Sequence, residues 1–162
     1  MQKTIARGTD RAANCTRFLE LVPSYLEKGL PEIANLANFA ALAAVWFDDI
    51  NWVGFYLFDG QRLTLGPFQG KPACTTITLD RGVCGAAASR LEAVVVADVH
   101  AFPGHIACDD ASRSEIVVPI LVSDRLYGVF DVDSPTPSRF GMREQTTIEA
   151  ALKVLVDFLT SL

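Results

Sequence analysis

Two stretches of this chain alternate in a way that paired strands satisfy. INWVGFYLF (50–58) and QRLTLGPF (61–68) are rich in β-branched and aromatic residues, and Asp59-Gly60 between them is a tight-turn pair. Residues 115–122 and 125–133 repeat the pattern around Ser123-Asp124, and Pro119 predicts an edge or a bulge in the first of these strands. Segments of helical period surround the hairpins. They cover 10–21, ended by Pro23; 31–46, entered at Pro31; 82–91, made of small residues; and 142–162, with Ile148, Leu152, Leu155 and Leu159 on one stripe. Residues 75–79 and 93–99 read as further short strands, the second buried, and 100–114 as a long loop around Pro103-Gly104. This order predicts an α+β fold: a mostly antiparallel central sheet with helices packed on one side.

A length of 162 residues suits one domain spanning 1–162, and 50% hydrophobic residues exclude a disordered chain. The net charge of −5 comes without a Lys/Arg cluster, so neither nucleic acid nor an anionic membrane is an expected partner. The longest apolar run (36–47) is well short of the ~20 residues a membrane helix needs. The N-terminal residues lack a secretory signature, so a cytoplasmic location with reduced thiols is expected.

Three of the four cysteines fall in one region: Cys74 in GKPAC, Cys84 in GVCG and Cys108 in HIACDD. Each lies in a loop or at a helix start, where a side chain can reach a ligand. Cys84 sits in the first helical turn, where the macrodipole favours a thiolate. Asp109 and Asp110 oppose a thiolate on Cys108, and His105 can offset them. Tuned thiols on loops suit thiol–disulfide exchange. The competing reading is zinc held by Cys74, Cys84, His105 and Cys108, but the wide gaps lack the paired spacing of structural zinc sites. No metal is therefore expected. Cys15, in the first helix, reads as a packing or surface residue.

The second constellation is acidic. Alternation puts Tyr127, Val129, Asp131 and Asp133 on one strand face, with Phe130 and Val132 on the other. A three-residue turn would set Glu115 opposite Asp133, and a two-residue turn would send it to the other face. Clustered carboxylates raise one another's pKa and can hold an ammonium group. Trp52 and Phe55 are candidates for an apolar pocket wall, or for plain core.

The segments GPFQGKPAC (66–74), GVCG (82–85), DVHAFPGHIACDDASRSEIVVPI (98–120) and GVFDVDS (128–134) together resemble the free methionine-(R)-sulfoxide reductase family. NWVGFY (51–56) and ANLANFAAL (34–42) add to the similarity, which runs from about residue 33 to the end. The resemblance implies a GAF fold and reduction of free L-methionine-(R)-sulfoxide, with thioredoxin as reductant and no bound cofactor. It implies that Cys108 attacks the sulfoxide sulfur and that Cys84 or Cys74 resolves the resulting sulfenic acid as a disulfide. It further implies that Asp133 polarises the sulfoxide, that Glu115 and Asp131 orient the substrate, and that Trp52 contacts its methyl end. A homodimer is possible, since relatives of the fold often pair through helices. The alternative function is a GAF-type sensor that binds a small molecule without catalysis; a zinc-stabilised interaction domain is the third reading.

Overall fold

Side chains at 53 and 55 of strand β1 (Trp52–Phe58) enter one core and those at 52 and 56 another, and the layering of the molecule follows from that split. The computed structural model describes residues 6–105 and 109–160. The remaining strands are β2 (Leu63–Gly70), β3 (Thr76–Ile77), β4 (Val94–Val96), β5 (Ser114–Val122) and β6 (Arg125–Ser134). They form one sheet in the order β3-β2-β1-β6-β5-β4, and every pairing is antiparallel. The helices are α1 (Arg11–Leu21), α2 (Glu32–Trp46), α3 (Gly82–Arg90) and α4 (Met142–Leu159).

Three of the helices, α1, α2 and α4, cover one face of the sheet. Their core centres on aromatic rings: Phe39 and Phe55 meet Phe130 at centroid distances of 5.1 and 4.9 Å. Phe55 is therefore core on this face and forms no pocket wall. Helix α3 packs on the opposite face, against Trp52, Tyr56, Val117 and Val129. The expectation of helices on one side fails here because residues 82–90 carry too little apolar stripe to show which face they cover. Gly85 permits the close approach: a Cβ there would sit 2.7 Å from the Thr78 carbonyl oxygen.

Strand β4 is shorter than the sequence predicts, three residues at the sheet edge, with Val95 exposed. It pairs with β5 only over Glu115, Ile116 and Val117, so Pro119 lies past its end, where β5 is itself an edge. There the missing N–H leaves no ladder bond unmade.

The hairpin β5–β6 decides the register of the molecule. Ser123 and Asp124 both have positive φ, giving a two-residue turn between Val122 and Arg125. Leu121 pairs with Leu126, but Ile120 pairs with Gly128, so Tyr127 is an extra residue in β6. The bulge turns Tyr127 to the α2 side, where its hydroxyl donates to Glu32 Oε2 at 2.8 Å. Tyr127 thus leaves the face it was expected to share with Asp131 and Asp133. The same shift sets Glu115 directly opposite Asp133. A two-residue turn plus one bulge does what a three-residue turn would have done.

A buried guanidinium ties the ends of these elements together. Arg139, with its side chain 1% exposed, donates to Glu144 Oε1 at 3.1 Å and to Asp48 Oδ1 at 2.9 Å. Its Nε reaches the Asp48 carbonyl at 3.1 Å, fixing the turn from α2 into β1. Glu144 Oε2 also accepts from the Gly141 N–H at the start of α4. Removing one partner of a buried pair strands the other charge and costs about 3–5 kcal/mol. Arg139→Met is expected to lower the urea midpoint by a stability loss of that order, whereas Arg17→Met, at an exposed pair with Glu20, should stay within about 0.5 kcal/mol. Equal losses would show that Arg139 holds nothing in place.

Candidate active site

Strands β5 and β6 bring three carboxylates to the α3 face. Glu115 pairs across the ladder with Asp133, and Asp131 follows two residues from Asp133 on the same face. Glu115 and Asp131 are 5% and 6% exposed, and Asp133 is the most accessible of the three. Strand β1 lies beside them, with Trp52 opposite Asp133 and Gly54 opposite Asp131. A Cβ at Gly54 would fall 2.3 Å from that of Phe68, so only glycine fits between β2 and the acidic pair.

From above, α3 lowers Cys84 onto this group. Its Sγ donates to Asp131 Oδ2 at 3.4 Å, and Cys84 is 3% exposed. Burial raises the Cys84 pKa well above the ordinary thiol value, and the charges of Asp131, Glu115 and Asp133 raise it further. The expected helix-start thiolate is therefore corrected to a protonated thiol. A macrodipole acting across one turn is outweighed by desolvation and three nearby carboxylates.

The carboxylates are shifted too. Burial lifts Asp131 to about 7, against hydrogen bonds with Cys84 and Glu115 that lower it. Burial, then the charges of Asp131 and Asp109, push Asp133 well above the usual carboxylate range. His105 Nδ1 lies 3.9 Å from Glu115 Oε2, and burial lowers the imidazole's pKa, so at neutral pH it is uncharged. Together Tyr56, Cys84, His105, Glu115, Asp131 and Asp133 line a cleft with about 410 Å³ of atom-free space, part of it open to solvent.

Side chains of Asn51, Lys71, Asp109 and Ser112 are tied together beside this cleft. Asn51 Nδ2 donates to both Asp109 Oδ2 and Ser112 Oγ at 3.0 Å, and Lys71 Nζ reaches Asp109 Oδ1 at 3.4 Å. The backbone N–H of Ala111 and the Asn51 amide hold the Asp109 pKa low. Cys108 lies outside the described residues, and His105 and Asp109 on either side of it line the cleft. Cys74 is half-buried against the α3-side core; its carbonyl accepts from the Tyr56 hydroxyl at 2.9 Å, although its side chain is not in the cleft lining. Trp52 is buried, stacked 5.3 Å from Phe68, with Nε1 donating to the Lys71 carbonyl at 3.1 Å. It supports the 71–74 loop and does not line the cleft, whereas Tyr56 does. Alternation from Trp52 puts Tyr56 on the same face, so the pattern held that signal. For Asn51 it held none. Cys15 is buried among α1 and α4 side chains, a packing residue.

Of the four residues weighed as zinc ligands, only Cys84 joins a compact donor group among the described residues. Its partners there are Glu115 and Asp131, with the ligand atoms all within 4.8 Å of one another.

These shifts carry a stability signature. The folded Asp131 pKa of about 7 exceeds its unfolded value of ~3.9, so the native state holds the extra proton between those values. Stability therefore falls as pH rises from about 4 to 7, and burying the carboxylate is free of this cost only below that window. Glu115, Asp133, Cys84 and His105 face the same group, so the wild-type slope is shared. Asp131→Asn is expected to gain more stability at pH 8 than at pH 5 in urea titrations. Parallel pH profiles would remove Asp131 from the balance.

The GAF domain model matches residues 26–159 of this chain. The free methionine-R-sulfoxide reductase of Escherichia coli is 53% identical over 108 residues, 67% of this chain and 66% of that one. The Saccharomyces cerevisiae protein of the same name is 42% identical, covering 76% and 73%. The X-ray structure of free methionine-R-sulfoxide reductase from Neisseria meningitidis in complex with its substrate superposes with a TM-score of 0.90 at 41% identity, covering 95% of this chain and 93% of that one. With the GAF fold and an acidic, thiol-capped cleft in common view, the chain belongs to the free methionine-(R)-sulfoxide reductase family.

Proposed function

We propose that this protein reduces free L-methionine-(R)-sulfoxide to L-methionine by a thiol relay without a bound cofactor. The observation that carries the reading is the convergence of Glu115, Asp131 and Asp133 beneath the Cys84 thiol in one cleft. Family membership supplies the substrate class. A free amino acid brings an ammonium group that Glu115 and Asp131 can take; a peptide-bound or N-acylated sulfoxide does not. Burial holds the Asp133 pKa well above the usual carboxylate range, so it keeps a proton to higher pH than a free carboxyl. It is the group suited to donate to the sulfoxide oxygen, a poor leaving group until it is protonated.

In this scheme the Cys108 thiolate attacks the sulfoxide sulfur, forming a transient S–S bond while Asp133 protonates the oxygen. The hydroxyl then passes to the Cys108 sulfur as the S–S and S–O bonds to the methionine sulfur break. Methionine leaves with its sulfur reduced, and Cys108, oxidised by the same two electrons, is left as a sulfenic acid. The Cys84 sulfur, or that of Cys74, then attacks the sulfenic sulfur, forming a disulfide and releasing water. Asp131 at 3.4 Å is positioned to accept the Cys84 proton as that bond forms. A thioredoxin dithiol, in the reducing cytoplasm, restores both thiols by exchange. No described helix is long and apolar enough to cross a membrane.

A thioredoxin-coupled assay of NADPH consumption tests the reading. Turnover is expected with free methionine-(R)-sulfoxide and at least ~100-fold less with the free (S) epimer or an N-acylated (R)-sulfoxide. Cys108→Ser should abolish turnover while substrate still binds. Full turnover in that variant would refute the relay, and no turnover by reduced wild type would leave a GAF-type binding domain.

A further inference from the structure

We infer that the reduced protein carries a site for a thiophilic divalent cation, zinc in particular, made by Cys84 Sγ, Glu115, Asp131 and His105 Nδ1. The first three donors lie within 4.8 Å of one another. Zn–S of about 2.3 Å and Zn–O of about 2.0 Å at a tetrahedral angle put two ligand atoms about 3.5 Å apart. Cys84 Sγ and Asp131 Oδ2 are already 3.4 Å apart, so the sulfur and oxygen hold ligand spacing before any ion arrives. The fourth donor, His105 Nδ1, is 3.9 Å from Glu115 Oε2, outside the compact group of three, and would have to move toward the sulfur and Asp131 to join them.

Asp131 Oδ1 is the independent sign of a missing partner. It is fully buried, in a residue 6% exposed on the cleft lining, and no hydrogen-bond donor among the described residues reaches it. Such an atom is costly unless something binds it. A substrate ammonium could satisfy the oxygen, but it makes no use of a sulfur held among acids. A soft dication uses both and relieves the repulsion between the carboxylates.

The ion and the substrate need the same oxygens, so binding is mutually exclusive. The metal therefore acts as an inhibitor of the reduced state. A disulfide through Cys84 removes the sulfur ligand, so the oxidised protein does not bind it. The site itself rests on the cleft geometry alone; the inhibition and the redox dependence rest on the reductase reading.

Cobalt(II) titration of the reduced, metal-free protein reads the site directly. The expected result is one Co²⁺ per chain with tetrahedral d–d bands and a thiolate-to-cobalt charge-transfer band, displaced by Zn²⁺. Cys84→Ser should lose the charge-transfer band and weaken binding by more than the ~10–100-fold that an outer-shell change costs. Cys15→Ser and Cys74→Ser should keep the band. Because a cleft variant can misfold, wild-type protein is also alkylated with and without Zn²⁺, and zinc should protect Cys84 at least ~10-fold relative to Cys15 in unfolded-state-corrected rates. A band that survives in Cys84→Ser, its absence from wild type, or no protection of Cys84 would each overturn the site. Turnover that fails while cobalt binds would overturn only the reductase reading.

Discussion

One register shift sets the chemistry of this molecule. A two-residue turn alone would leave Glu115 on the helix-covered face, among Phe39, Phe55 and Phe130, where a carboxylate has no partner. The extra residue at Tyr127 moves the ladder by one, and Glu115 comes to face Asp133 beside Asp131. The displaced Tyr127 finds its own use, with its hydroxyl on Glu32 of α2. The bulge therefore converts a single polar error into an acidic site without exposing an aromatic ring.

Having gathered three carboxylates, the fold must keep them from driving the sheet apart. Burial raises the pKa values of Asp131 and Asp133, so fewer than three charges exist together near neutral pH. Cys84 answers in the same direction, staying a thiol that can donate to Asp131. A thiol held protonated is a weak nucleophile, which under the proposed relay suits the resolving sulfur better than the attacking one. The proton that makes it inert is hydrogen-bonded to the group able to remove it.

Much of this was legible in the sequence, and the failures have physical causes. The two hairpins, the helices flanking them and the acidic face of β6 follow from alternation and turn chemistry, which act over a few residues. The bulge at Tyr127 does not, because it is a compromise between the turn at Ser123-Asp124 and pairing with both β1 and β5. Helix α3 could be placed along the chain but not on a face, since its small residues fit either side of a sheet. No local pattern marks Arg139; only its meeting with Asp48, from a distant part of the chain, and Glu144 makes it a buried anchor. Cys84 was read from its helix position, which sets a small local field, whereas its environment is set by three residues 31 to 49 positions away.

The two faces of the sheet divide the work, and the division explains how a small domain tolerates a strained centre. The face under α1, α2 and α4 is almost wholly apolar and carries the aromatic cluster. It can stabilise the fold by burial alone. The face under α3 is covered by one nine-residue helix and by loops pinned through Asn51, Trp52 and Tyr56 to β1 and the residue before it. The repelling carboxylates and the unpartnered Asp131 Oδ1 are gathered there, where a bound ligand can relieve them. The loops that bear Cys74 and Asp109 are fixed to strand-borne side chains on that face, so the rigid sheet sets their positions. The repelling carboxylates thus lie in the layer where binding can offset them, and the opposite layer holds the molecule together by apolar burial.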